Sequence, residues 1–185
     1  MGKEKDSYMH VFTQPSKDWI AHTFSAPTAV QQEAWPAIAE GGSVLISAPT
    51  GTGKTISAFL VFVDKLQALA NQGKLKEQLY LIYVSPLKSL AQDIRENLNK
   101  PLSGIAQEPN GQGAAEITVG IRTGDTPQRD RQRMIKHPPH ILIITPESLY
   151  LMLTSTGGQT ILHTAEALII DELHALIDTK RGAHL

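Results

Sequence analysis

The stretch that decides the fold is "SVLISAPTGTGKTISAFLVFV", residues 43–63, in which two apolar runs enclose the octapeptide "APTGTGKT" at 48–55. The first run, 43–47, has the length of a buried strand, and the second belongs to a long helix predicted over 54–73. Glycines between such segments mark backbone that turns sharply or approaches a ligand closely. A lysine beside them indicates a negatively charged ligand, so the strand, turn and helix together predict a phosphate-binding loop.

The loop gives each of its polar groups a role in binding ATP. Its backbone N–H groups would hold phosphate oxygens, and the first turn of the helix adds its positive dipole end. Lys54 would reach the β- and γ-phosphates, and the Thr55 hydroxyl would be a ligand to Mg²⁺. Ala48 stands where the strict pattern has glycine, so a Gly-rich turn before a buried helix is the structural alternative. The predicted cofactor-binding residues of the loop are Thr50, Gly51, Thr52, Gly53, Lys54 and Thr55.

Beyond this loop, apolar segments of strand length alternate with helical segments. Further strands are predicted at 79–85, 116–123, 140–145 and 166–172, and further helices at 15–24, 28–42, 89–100, 127–137 and 146–155. The alternation is typical of an α/β fold with a mainly parallel sheet between two layers of helices. Thr28, followed by Gln31, predicts a helix N-terminus with a capping box. The segment 101–115 is rich in glycine, proline and polar residues and is predicted to be a mobile surface loop.

Two acids, Asp171 and Glu172, follow the last predicted strand. Ligands of open α/β sheets bind beyond the carboxyl ends of the strands, where these side chains would emerge. Asp171 is therefore predicted to hold Mg²⁺ as a Walker-B aspartate, and Glu172 to orient and deprotonate a water. A small-molecule kinase has to keep water from the γ-phosphate, so the acidic pair favours a hydrolase. An acidic turn at the surface is the structural alternative.

Composition and charge restrict the class of protein. The chain has 185 residues, of which 41% are hydrophobic and 19% charged, as expected for one globular domain. Its net charge of −1 means that any contact with nucleic acid depends on local basic groups. There is no cysteine, no secretory h-region and no apolar run near the roughly 18–20 residues that cross a membrane. We therefore expect a cytoplasmic protein without a membrane partner.

The octapeptide at 48–55, followed by "DELH" at 171–174, resembles the superfamily 2 helicases. Other segments match in order: "FSAPTAVQ" (24–31) resembles the Q motif, "SPLKSLAQD" (85–93) motif Ia, "RTGDT" (122–126) the glycine-containing segment after it, and "TPESL" (145–149) motif Ib. The C-terminal "DELHALIDTKRGAHL" most resembles the large helicase-related (Lhr) family. The resemblance extends from Phe24 to Leu185.

This resemblance implies a three-layer RecA-like P-loop NTPase domain over 25–185, preceded by an N-terminal extension and short helix at 1–24. It would be the first RecA-like domain of an ATPase that moves 3′ to 5′ on single-stranded DNA and unwinds DNA duplexes or RNA–DNA hybrids. The chain ends shortly after Asp171, so we expect the second RecA-like domain, with its arginine finger, to be absent. Residues 1–185 alone are then expected to bind ATP or ADP weakly and to hydrolyse ATP hardly at all.

The resemblance also assigns individual residues. Gln31 would contact adenine through its carboxamide, unless it is only the capping-box residue. His174 would couple the nucleotide site to the second domain, unless it is simply a satisfied polar residue. The residues implied to contact a nucleic acid are Pro86, Lys88, Ser89, Arg122, Thr123, Gly124, Thr145, Pro146 and Glu147. They lie at three strand ends and would contact phosphates without reading bases. The basic run 128–136 is interpreted as a solvated helix face.

Two rival interpretations remain at this point. One is an RNA helicase of the DEAD-box or Ski2-like type, with the same phosphate chemistry and a different strand. The other is a P-loop kinase or nucleotide-dependent scaffold that does not translocate. Glu172 and the three segments at strand ends argue against the second rival.

Overall fold

The structure is a computed structural model that describes residues 8–49, 53–109, 111, 116–177, 179 and 182–183. Thr50, Gly51 and Thr52 of the predicted phosphate loop lie outside the described residues. The chain divides into two compact units, Met1–Leu75 with Asn97–Glu116 and Lys76–Glu96 with Ile117–Leu185. We call them the helical unit and the sheet unit.

The sheet unit is built on four parallel strands. They are β1 (Leu81–Val84), β2 (Val119–Arg122), β3 (Ile141–Ile144) and β4 (Ala167–Ile170), in the spatial order β2-β3-β1-β4. Every residue of β1 and β3 is buried, as apolar strands between two covered faces require. The pairing is in register, with Val84 opposite both Ile144 and Ile170. The prediction of an α/β fold with a mainly parallel sheet is confirmed.

Helices follow the strands of this unit. They are α5 (Gln128–Lys136), α6 (Pro146–Leu153) and α7 (Thr156–Leu162). Strand and helix residues together form the core, which contains Leu79, Ile82, Val84, Leu142, Ile144, Leu149, Met152 and Ile161. Helix α7 was not predicted, although Ser155 caps it by accepting from the Gly158 N–H at 3.3 Å. A Cβ at Gly158 would lie 2.3 Å from the Met152 carbonyl oxygen, so the contact of α7 with α6 requires glycine there.

The helical unit contains α1 (Gln14–Thr23), α2 (Ala29–Ala39) and α3 (Lys54–Asn71), all predicted from the sequence. Trp35 is fully buried and meets Phe12 edge to face, with ring centroids 4.9 Å apart. Buried Asp64 of α3 accepts hydrogen bonds from the N–H and the hydroxyl of Thr13, the residue that begins α1. The N-terminal helix is thereby fixed to α3 through one carboxylate.

The predicted strand at 43–47 is wrong for the structure as described. These residues have no strand assignment, and the side chain of Leu45 is 81% exposed. Gly41 and Gly42, both at positive φ, lead into the segment after α2 ends. An apolar run becomes a strand only where a neighbouring strand supplies hydrogen bonds, and 43–47 has no such pairing among the described residues.

The predicted boundary at Pro101 is also wrong. Helix α4 runs from Leu90 to Gln107, so it includes the first seven residues of the segment predicted to be a loop. The apolar spacing continues across the proline, with Leu98, Leu102 and Ile105 all buried. Proline removes one helical hydrogen bond, but burial of two further apolar residues offsets that cost. Residues 110 and 112–115 lie outside the described part of the chain.

Packing within the helical unit explains the C-terminal half of α4. A Cβ at Gly104 would lie 2.0 Å from Trp19 Nε1, so glycine lets the indole of α1 lie against the helix backbone. Buried Gln67 of α3 donates to the Leu102 carbonyl at 3.0 Å. The glycine that suggested a loop in the sequence is therefore a site of close helix packing.

Candidate functional site

The described end of the phosphate loop is a left-handed glycine. Gly53 has φ +85° and begins α3, and a Cβ there would lie 2.9 Å from Gln31 Nε2. Glycine is therefore required both by the backbone conformation and by the space available. The Lys54 ammonium donates to the Ala48 carbonyl oxygen, and the Ser57 hydroxyl donates to the Gly53 carbonyl at 2.8 Å. The loop is thus closed across its two described ends.

Gln31 connects this loop to the start of α2. Its Oε1 accepts from the Thr28 N–H at 2.8 Å, and its own N–H donates to Thr28 Oγ1 at 3.3 Å. The predicted capping box is confirmed. The side chain is also buried, at 2% exposure, with its amide nitrogen against Gly53. The role of Gln31 in contacting adenine stays a prediction.

The two acids lie after β4 in the sheet unit. The Asp171 N–H donates to the Val84 carbonyl at 3.0 Å, which continues the ladder by one residue. Both carboxylate oxygens of Asp171 are held: Oδ2 accepts from the Tyr83 hydroxyl, and Oδ1 from the Glu172 N–H at 2.9 Å. The carboxylate predicted to serve Mg²⁺ is therefore oriented before any ligand arrives.

Tyr83 was missed by the sequence reasoning. It is buried in β1, and its hydroxyl reaches the carboxylate two residues beyond its partner on β4. The signal was present in "LYLIYVS", because a tyrosine within an otherwise aliphatic buried strand must find a hydrogen-bond partner. The sequence did not say which partner, since that depends on strand order.

Glu172 has a strained backbone. Its φ of 49° and ψ of 44° are left-handed, and it is the one non-glycine residue at positive φ among the described residues. Such residues cost about 1 kcal/mol or more and gather at functional sites. Its Oε2 lies 3.2 Å from His174 Nε2, and the His174 side chain is 80% exposed. The roles of Glu172 in catalysis and of His174 in interdomain coupling stay predictions.

Thr55 in the helical unit and Asp171 in the sheet unit each carry a side-chain oxygen of the kind that Mg²⁺ prefers. Within the described ranges, no cluster of three or more histidines and acids could form a cage for a metal ion. Mg²⁺ is usually held by one or two protein oxygens, with waters and substrate phosphates completing the octahedron. The Thr55 hydroxyl and the oriented Asp171 carboxylate are donors of that type, and their use by one ion stays a prediction.

All nine residues implied to contact nucleic acid lie in the sheet unit, at or just after the carboxyl ends of β1, β2 and β3, with Arg122 as the last residue of β2. The loop starts are joined by hydrogen bonds: the Ser85 N–H donates to the Ile144 carbonyl at 3.0 Å and the Thr145 N–H to the Arg122 carbonyl at 3.3 Å. Because the strands are parallel and in register, the three loops emerge at one edge of the sheet. The fold brings the predicted residues together.

These nine residues differ in exposure. Lys88, Ser89 and Gly124 are exposed and Glu147 is half-buried, whereas Pro86, Arg122, Thr123, Thr145 and Pro146 are buried. Lys88 Nζ lies 2.9 Å from Asp125 Oδ1 and 3.3 Å from where a Cβ on Gly124 would be, so the loops after β1 and β2 adjoin. The exposed residues of this set are accessible to a ligand, and the buried residues determine the conformation of the loops.

Arg122 is a charged residue of this set that is buried. Its guanidinium is buried, and Nη1 has no hydrogen-bond partner in the part of the chain that the structure describes. Burial, together with the nearby charge of Arg131, lowers the pKa of Arg122 from its ordinary value. Its positive charge therefore lies behind the loop and not on its surface.

Together, these features define a class of protein. A parallel α/β sheet, a left-handed glycine that begins a helix with lysine and threonine, and an oriented aspartate after a strand are those of a P-loop nucleotide-binding domain. Residues 28–185 match the family model for DEAD/DEAH box helicases, and the chain belongs to that family.

Individual relatives carry the Lhr name. The chain is 49% identical over 176 residues to the Lhr helicase/probable uracil glycosylase of Mycolicibacterium smegmatis, which covers 94% of this chain and 12% of that protein. It is 46% identical over 169 residues to the ATP-dependent helicase Lhr-Core of Methanothermobacter thermautotrophicus, covering 91% of this chain and 20% of that protein. The predicted resemblance to the Lhr family is confirmed.

A solved relative supports the fold class. The structure of Mycobacterium smegmatis helicase Lhr bound to ssDNA and AMP-PNP superposes with a TM-score of 0.86 at 46% identity, covering 96% of this chain and 22% of that one. The predicted RecA-like helicase fold is confirmed. This chain spans between 12% and 22% of the length of these three proteins. No helix in the described part of the chain has the length and hydropathy needed to cross a membrane.

Proposed function

We propose that this chain is the ATP-binding motor domain of a helicase that hydrolyses ATP to move 3′ to 5′ on single-stranded DNA and to unwind duplexes. The observation that carries the proposal is the single sheet edge where Lys88, Ser89 and Gly124 are exposed beside the loop after β3. A solved relative with the same fold is bound to ssDNA and AMP-PNP. A nucleic-acid strand on this edge would make the domain a motor instead of a simple ATP-binding module.

ATP is the proposed cofactor, with Mg²⁺. Lys54 and the loop N–H groups would neutralise and hold phosphates, and Gln31 would contact adenine. Thr55 and Asp171 would each offer Mg²⁺ one oxygen, and Glu172 would orient a water and accept its proton. When bound, Mg²⁺ supplies positive charge beside the phosphates. The orientation of Asp171 by Tyr83 supports this assignment, because a carboxylate held in advance loses less freedom on binding.

The proposed strand partner is single-stranded DNA, recognised through its phosphates. Such contacts give salt-dependent affinity with little base preference. RNA–DNA hybrids and RNA are the alternative partners, and a second RecA-like domain of a longer chain is the proposed partner of His174. We also propose a cytoplasmic location, where ATP and nucleic acid are both available.

Fluorescence anisotropy with a labelled dT oligonucleotide tests the proposal, using the 185-residue chain with AMP-PNP and Mg²⁺. We expect binding that weakens steeply with salt and changes little when dA replaces dT. Tighter binding of the matching RNA would favour the RNA-helicase alternative. AMP-PNP binding without any strand binding at low salt would favour the kinase or scaffold alternative.

A further inference from the structure

We propose that Arg131 is a positioning residue for strand binding: it fixes the loop at 123–126 so that the Gly124 N–H faces outward toward a phosphate. The proposal rests on the proposed function and adds a residue outside every matched motif. Arg131 belongs to α5, the basic helix that the sequence suggested was only a solvated face. The contacts of its guanidinium contradict that interpretation for this one arginine.

The Arg131 guanidinium holds the loop by its carbonyl groups. Nε donates to the Thr126 carbonyl at 2.8 Å, and Nη2 donates to the carbonyls of Gly124 at 2.8 Å and Thr123 at 3.4 Å. The planar fork of arginine can reach several acceptors at once, which the single ammonium of lysine cannot do in the same geometry.

The orientation of these carbonyls decides where the amide groups face. In a trans peptide the C=O of one residue and the N–H of the next point in opposite directions. The Thr123 carbonyl accepts from the Thr126 N–H at 3.2 Å as well as from Arg131, so the Gly124 N–H points away from both donors. The share of Arg131 in holding this turn rests on its shorter contacts with the Gly124 and Thr126 carbonyls. The Asp125 N–H is used by Thr123 Oγ1 at 3.2 Å, whereas the Gly124 N–H has no hydrogen-bond partner within the described residues.

A second group beside Gly124 points to an anion. Lys88 Nζ is 3.3 Å from the place that a Cβ on Gly124 would occupy, and both residues are exposed. A phosphate oxygen at this position could accept from the Gly124 N–H and the Lys88 ammonium together. If the loop turned over, carbonyl oxygens would face the phosphate and repel it. Arg131 thus acts on the strand through the loop and without touching it.

Salt dependence separates this role from a direct charge contact. Losing a neutral N–H contact leaves the number of neutralised phosphates unchanged, whereas losing one cation–phosphate contact lowers the salt slope by about 0.7 for a single strand. Arg131→Ala is therefore expected to weaken dT binding about tenfold, with an unchanged salt slope. Arg131→Lys, which keeps the charge but not the fork, is expected to lose most of the same affinity.

Arg133→Ala is the matched control, because Arg133 is exposed on the same helix and carries the same charge. It should change dT affinity less than about twofold. The urea midpoint and AMP-PNP affinity of each variant show whether the domain is intact, and Arg131→Lys serves if Arg131→Ala does not fold.

Three results would overturn the inference. One is wild-type dT affinity in Arg131→Ala, which leaves the proposed function standing. Another is full affinity in Arg131→Lys, or a reduced salt slope in Arg131→Ala, either of which makes Arg131 a direct phosphate contact. The third is absence of dT binding by the wild-type chain, which removes the proposed function as well.

Discussion

The segments 43–54 and 81–88 share a local pattern, and the structure treats them differently. Each has an apolar run, then serine and proline, then a lysine near the start of a helix. In the second segment the run is β1, buried and hydrogen-bonded to a strand on each side. In the first segment the run pairs with no other described strand and is largely exposed. The difference shows that partners, more than local propensity, decide whether an apolar run is a strand.

The two lysines differ in the same way. Lys54 donates to a carbonyl of its own loop, whereas Lys88 of the loop after β1 pairs with Asp125 of the loop after β2. The first contact closes a local ring, and the second joins two loops that only the sheet brings together. We therefore expect the first segment to determine nucleotide affinity and the second to determine strand affinity.

The largest expected effect is on stability, from placing a charge in each apolar run. Val84→Asp buries a carboxylate in a fully covered strand and should cost at least about 4 kcal/mol, which is most of the stability of a typical domain. Leu45→Asp at an exposed position should change the unfolding free energy by less than about 0.5 kcal/mol. Urea unfolding of both variants measures the difference. Equal large losses would show that 43–47 is packed as a strand, as its sequence pattern predicts.

The sheet was predictable because β1, β3 and β4 are apolar runs and the segment of β2 alternates, patterns that can be recognised without knowing the neighbouring strands. Three features of the fold were not. The predicted strand at 43–47 was wrong because an apolar run does not indicate whether a neighbouring strand is available to pair with it. The failure at Pro101 arises because composition was weighed above the apolar spacing of Leu98, Leu102 and Ile105. Helix α7 was missed because its two glycines are typical of a loop. The structure shows that Gly158 is needed for close packing against the backbone of Met152.

The candidate site was predictable to the level of its loops. Motif order located three loops that the fold then placed on one edge. The sequence did not distinguish exposed members of the set, such as Lys88, from buried ones, such as Arg122. The hydrogen-bond partners of Tyr83 and Arg131 could not be predicted, because Tyr83 acts across strands and Arg131 acts from a helix onto a loop. Both contacts depend on tertiary placement.

The next largest effect concerns the nucleotide. Lys54→Ala removes the charge proposed to meet the β- and γ-phosphates and should weaken ATP binding about 100-fold, or about 2.7 kcal/mol, with the fold intact. Isothermal titration calorimetry measures the affinity. Lys74→Ala, which removes an exposed lysine of the same unit, is the control and should bind ATP normally. Unchanged affinity in Lys54→Ala would refute the assignment of the phosphate loop.

A smaller effect is expected from the second lysine. Lys88→Ala should weaken dT binding about fivefold and lower the salt slope by about 0.7, because one cation–phosphate contact is lost. ATP affinity should not change, and stability should change by less than about 1 kcal/mol, since the pair with Asp125 is exposed. If Lys88→Ala instead lost ATP affinity and kept dT affinity, the division of roles between the two segments would be wrong.

The smallest effect comes from the opposite end of the sheet, where side chains fix the strand starts. His140 lies just before β3, and its Nδ1 accepts from the Thr118 N–H at 2.9 Å. Burial lowers the pKa of His140 below its ordinary value, although the Lys76 backbone and the charge of Glu77 oppose the shift. Below about pH 6.5 His140 therefore binds a proton more readily in the unfolded chain than in the folded chain.

Because the pKa of folded His140 is depressed, its neutral form favours folding above the unfolded pKa. That contribution is lost as the pH falls from about 6.5 through the lowered folded value. Urea midpoints should thus fall between about pH 7.5 and pH 5, and His140→Asn, whose Oδ1 can still accept from Thr118, should show a shallower fall. His163→Asn, at an exposed position away from Glu77, is the matched control and should keep the wild-type slope. If His140→Asn showed the wild-type dependence of the urea midpoint on pH, protonation of His140 would not weaken the starts of these strands. Burial of β1 and β3 would then be enough to explain why they form strands and 43–47 does not.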